Sequence, residues 1–82
     1  MKITVDISLY PLTENFIPII KDFIEKLKSY DELTVATNKL STQISGEYSY
    51  LMNVLNIEVK GIFEEVRSVL VMKFLSGDKL ID

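Results

Sequence analysis

The sequence predicts an α+β half-sandwich of β-α-β-β-α-β order: a four-stranded antiparallel sheet with two helices on one face. Three observations lead there. The chain begins with a strictly alternating apolar and polar run, two later stretches repeat apolar residues every three or four positions, and short β-like runs lie between and after them.

Ile3, Val5, Ile7 and Leu9 alternate with Thr4, Asp6 and Ser8, the pattern of a strand with one buried face, at about residues 2–9. Pro11 ends it. Thr13 or Asn15 then caps a helix, at about 14–29, whose apolar positions are Phe16, Ile20, Phe23, Ile24 and Leu27. Pro18 has to fall in its first turns, where a missing N–H costs little, and this favours Asn15. Two β-like runs follow at about 33–37 and 40–45, with Asn38-Lys39 between them as a two-residue turn.

The second helical pattern, at about 47–65, starts after a Ser45 or Gly46 cap and carries Tyr48, Leu51, Met52, Leu55, Val59, Ile62, Phe63 and Val66 on one stripe. Gly61 interrupts it, either at a close contact or bend or as simple tolerance. The last run, Val69 to Leu75 within a strand at about 68–75, is too apolar for one wet face. Right-handed crossovers close these elements as a ferredoxin-like sheet with one bare face. That face carries Thr4, Asp6, Ser8, Ser41 and Gln43, with either Val69 and Val71 or Leu70, Met72 and Phe74.

A chain of 82 residues has room for one domain, spanning 1–82, and one core. Apolar residues are 48% of it and charged residues 26%, a surplus that a small body brings to its surface. A homodimer or higher homo-oligomer by sheet packing is therefore expected. The net charge of −3 offers no basic stripe to nucleic acid. Without cysteine or histidine there is neither a thiolate metal site nor the commonest general base. Neither a signal-like segment nor an 18-residue apolar run occurs, so the expected location is the cytoplasm, away from membranes.

The stretch Ser8-Leu9-Tyr10-Pro11-Leu12-Thr13-Glu14-Asn15-Phe16-Ile17 resembles the start of the repeat in YkoF-like proteins, which bind thiamine and its hydroxymethylpyrimidine moiety. Leu40-Ser41-Thr42-Gln43-Ile44-Ser45-Gly46 is similar to a second motif of that family and to its counterpart in small thiamine-binding proteins. The resemblance covers nearly the whole chain, which holds one repeat. It implies a ferredoxin-like fold, sheet-on-sheet assembly and a thiamine-like ligand, with a carrier or buffer role in vitamin salvage and no cofactor.

Candidate ligand-binding residues are Asp6, Ser8, Tyr10, Ser41, Thr42 and Gln43. Asp6 on a central strand needs a donor or a cation, which an aminopyrimidine or thiazolium supplies, although solvent or a lysine would also serve. Ser8 shares its face, and Tyr10 offers a ring at the strand end. Thr42 is in phase with Leu40 and Ile44 and points towards the helices, opposite to Ser41 and Gln43. A ligand between sheet and helix uses Thr42; one between two sheets uses Ser41 and Gln43. Glu64-Glu65 and the charges at Asp22, Glu25, Lys26 and Lys28 read as solvated helix surface, so an enzyme is not expected. The alternative function is a ligand-free oligomerisation or interaction domain using the open sheet face.

Overall fold

Apolar alternation along the first ten-residue strand sets the architecture, because one face of that strand is buried almost without exception. The computed structural model describes residues 1–78. Its elements are β1 (Lys2–Pro11), α1 (Phe16–Lys28), β2 (Thr34–Thr37), β3 (Thr42–Glu47), α2 (Tyr48–Glu65) and β4 (Ser68–Ser76). The strands form one antiparallel sheet in the order β2-β3-β1-β4. This is the ferredoxin-like arrangement expected from the sequence.

Residues paired across antiparallel strands share a face, so the register assigns every side chain. Val5 lies opposite Ile44 on one side and Phe74 on the other, while Asp6 lies opposite Gln43 and Lys73. The helices cover the face of Ile3, Val5, Ile7, Leu9 and Ile44, which are buried together with Phe23 and Leu27 of α1 and Leu51, Val54, Leu55 and Ile62 of α2. Leu70, Met72 and Phe74 have the phase of this helix-side face, but the helices cover β4 less well: Leu70 and Met72 are half-buried and Phe74 is exposed beside a cleft shared with α2. The open face therefore receives Val69, Val71, Lys73 and Leu75 from β4.

Several local details depart from the expectations. Asn15 does precede α1, but its side chain makes no capping hydrogen bond, and Pro18 sits in the first turn. The β2–β3 connection is not a two-residue turn: Thr37 pairs with Thr42, leaving a loop at 38–41. Neither Ser45 nor Gly46 caps α2. Both remain in β3, and the Glu47 carboxylate accepts from the Ser49 N–H instead. Tyr48 is exposed rather than buried, and Val54 takes a core place that the stripe did not include. At the far end of α1 the Tyr30 hydroxyl donates to Glu58 of α2 at 2.6 Å, and this bond, with partial burial, pushes the phenol pKa up to about 12.

Gly46 stays glycine for a steric reason. A Cβ there would stand 2.8 Å from Leu33 Cδ2 and 3.3 Å from the Glu32 carbonyl oxygen. Around Gly61 nothing lies within 4 Å of such an atom, so simple tolerance explains it. Denaturant unfolding should accordingly give the two positions opposite signs. Gly46→Ala should lose about 1–3 kcal/mol through overpacking, whereas Gly61→Ala should gain up to about 1 kcal/mol from helix propensity. Destabilisation by both would contradict this packing.

Candidate functional site

β1 is longer than its partner on one side. Its ladder with β3 stops at Ile7↔Thr42, but its ladder with β4 continues to Pro11↔Ser68 and is extended by Leu12 N–H donating to the Arg67 carbonyl at 2.9 Å. The last residues of β1 therefore have no strand beside them on the β3 side. A cleft of about 430 Å³ opens there. Ile7, Leu9 and Thr42 lie at its floor, Phe16, Ile20 and Phe23 of α1 form one wall, and the 38–41 loop forms the other. Phe16 remains 44% exposed because the cleft, rather than packed core, lies under it.

The loop closes on itself. Asn38 Oδ1 accepts from the Leu40 N–H at 2.8 Å and the Ser41 N–H at 3.0 Å, and the Asn38 N–H donates to the Ser41 carbonyl at 3.1 Å. An Asx side chain bonding two residues onward is a characteristic turn device. Thr37 and Thr42 join their hydroxyls at 3.0 Å across its base. On the opposite side of the sheet, Asp6 Oδ1 accepts from Ser41 Oγ and from Gln43 Nε2, each at 2.6 Å, and Gln43 Nε2 also donates to Ser41 Oγ at 2.9 Å.

A family model described as the YKOF-related family matches residues 2–77. The chain belongs to the YkoF-related family. No protein with a curated description matches it. Its fold is similar to that of a Thermotoga maritima protein provisionally assigned to thiamine biosynthesis or salvage, with a TM-score of 0.84 and 22% identity over 98% of this chain and 91% of that one. A Streptococcus pneumoniae protein of known structure gives 0.85 and 23% over 99% and 92%. One from Methanocaldococcus jannascii gives 0.71 and 22% over 99% and 84%. At these identities the likeness is one of fold.

In this YkoF-related chain the six candidate residues divide between two places. Ser8, Tyr10, Ser41 and Thr42 border the cleft, and Asp6 and Gln43 meet Ser41 on the open face. Thr42 is buried and in phase with Ile44, as the alternation requires. Ser8 and Tyr10 pair with Val71 and Val69, so their place in the alternation is that of the open face although their segment borders the cleft. Phe16, Ile20 and Phe23 were legible only as a helix stripe; the signal pointing to the cleft was the unequal length of the first and third strand patterns.

The Asp6 carboxyl is held below the usual carboxylate range, first by the Ser41 hydrogen bond and then by that of Gln43, with Lys73 across the strand assisting and burial opposing. The network thus favours the ionised acid. A depressed carboxylate pKa lends stability above the unfolded value of about 4 and loses it as pH falls through the folded one, so the triad is intact at neutral pH. Among the described residues no three acidic, histidine or cysteine side chains gather as a metal site, and no helix is long and apolar enough to cross a membrane.

Proposed function

We propose that this chain is a non-catalytic, single-domain binding protein for thiamine or its hydroxymethylpyrimidine moiety, acting as a carrier or buffer in cytoplasmic vitamin salvage. The cleft at the end of β1 carries the reading. Its volume falls within the roughly 300–1,000 Å³ of small-molecule sites, and its walls are apolar and aromatic with a few hydroxyls, the usual composition of such sites. Membership of the YkoF-related family and the fold shared with a protein provisionally assigned to thiamine biosynthesis or salvage support the choice of ligand.

An aminopyrimidine ring suits this geometry. One face of the ring packs against the α1 wall at Phe16 and Ile20, and its ring nitrogens and amine exchange hydrogen bonds with Thr42, Ser41 and the backbone around Ser8. Tyr10 at the mouth presents an aromatic ring, a favourable neighbour for a thiazolium charge. Asp6 and Gln43 belong to the same site through Ser41. Calorimetric titration with hydroxymethylpyrimidine and thiamine should give a saturable heat. Ile20→Trp, which fills the cleft from a half-buried helix position, should weaken it at least about tenfold while leaving the fold unchanged. No heat with either compound would remove the ligand reading.

The same proposal includes self-association through the open sheet face, where Val69, Val71 and Leu75 are exposed beside the polar centre at Thr4, Asp6 and Ser8. Met72 and Phe74 lie on the other side of β4 and are not expected to make that contact. Sedimentation at micromolar concentration should find a dimer or larger species that Val71→Glu shifts towards monomer. A monomeric wild type would rule the assembly out.

A further inference from the structure

The Asp6 carboxylate does not border the cleft, yet one of its two hydrogen bonds, from Ser41, ties it to the segment that forms one cleft wall. Ser41 is the last residue of the 38–41 loop, immediately before the final β1–β3 rung at Ile7↔Thr42. The loop's other bonds involving Asn38 are internal and fix its shape without tying it to the sheet. The Thr37–Thr42 bond holds the hairpin's two sides together at its base. Packing adds little further out, since Leu40 is 89% exposed and Asn38 and Lys39 are exposed as well. Asp6 lies on the neighbouring strand, 35 residues earlier, and its bond to Ser41 crosses from loop to sheet beyond the ladder.

We propose that Asp6 is a positioning residue for the cleft: from the opposite face of the sheet it holds, through Ser41, the 38–41 loop in the position that closes the cleft wall. Gln43 completes the device by donating to both Asp6 and Ser41, so the three side chains form a closed triangle in which each fixes the others. A charged acceptor makes such bonds shorter and stronger than neutral ones. The wall formed by a loop with few packing contacts then keeps one arrangement instead of many, and a bound molecule meets a preformed surface. The inference rests on the ligand-cleft reading for its consequence in binding, but the anchoring itself does not.

The test therefore has two arms on the full chain. Backbone 15N relaxation by NMR, without ligand, compares wild type with Asp6→Ala, Asp6→Asn, Ser41→Ala and the Asp6→Ala/Ser41→Ala double variant. Because the Leu40 and Ser41 amides are held within the loop itself, the readout is the motion of the loop as a body. Order parameters over 39–41 should fall towards the flexible range, below about 0.6, in Asp6→Ala and in Ser41→Ala, less in Asp6→Asn, which keeps an acceptor, and no further in the double variant. Val5 and Ile44 in the sheet should keep their wild-type values. Unchanged loop order parameters, an equal fall throughout the sheet, or additive effects of the two single changes would overturn the anchor. In the second arm, Asp6→Ala should speed dissociation of hydroxymethylpyrimidine about tenfold with association little altered. If wild type binds neither this compound nor thiamine, the ligand reading fails while the order parameters still decide the anchor.

Discussion

β4 holds β1 along most of its length, whereas β3 holds it only as far as Ile7, and this difference in ladder length opens the cleft at the end of β1. Up to Ile7 the helix-side face of β1 and β3 is sealed by Ile3, Val5 and Ile44 beneath Leu27 and Leu51. Beyond that point a strand continues without a neighbour on one side. Helix α1 passes above it, and the β2–β3 hairpin stops short of it. The space that results is bounded by rigid elements on the β1 and α1 sides and by a loop on the third, an arrangement suited to a site that must be preformed yet accessible.

The two faces of the sheet do different work although the same strands build both. One face is an ordinary apolar core. The other places hydroxyls, an amide and a carboxylate at its centre, flanked by valines and a leucine on β4, and its central polar groups satisfy one another. Thr4, almost fully buried, joins its hydroxyl to Ser45 at 2.8 Å and donates to the Gly77 carbonyl at 2.9 Å, so the end of β4 is fastened across β1 to β3. Among the described residues no buried side-chain nitrogen or oxygen lacks a partner. A surface with its hydrogen bonds already made can meet an apolar partner face without leaving unpaired polar groups behind.

Much of this was legible in the sequence, for reasons that individual residues make clear. Ile3, Val5, Ile7 and Leu9 repeat with period two, and Phe23, Leu27, Leu51, Leu55 and Ile62 with the helical period; both patterns are direct consequences of side-chain geometry, and all nine residues are buried in the core. The opposed directions of Thr42 and Gln43 followed from the same rule. Residue type misleads where a distant partner decides the place. Leu40 continues the apolar phase of β3, yet it is a loop residue in solvent. Ser45 and Gly46 have the residue types of a helix cap, yet both are strand residues, and the size of Gly46 is set by Leu33, thirteen positions earlier. Phe16, Ile20 and Phe23 have the phase of a core stripe, and periodicity states which way a side chain faces, not whether anything fills the space it faces.

The central claim is that the unpaired end of β1, and not the open sheet face, is where a small ligand sits. NMR mapping of backbone and methyl shifts during titration with hydroxymethylpyrimidine tests it most directly. The account predicts that the largest changes fall on Ile7, Leu9, Ile20, Phe23 and Thr42, with smaller ones in the 38–41 loop. Changes centred on Gln43, Val71 and Lys73, with those cleft residues unmoved, would contradict it.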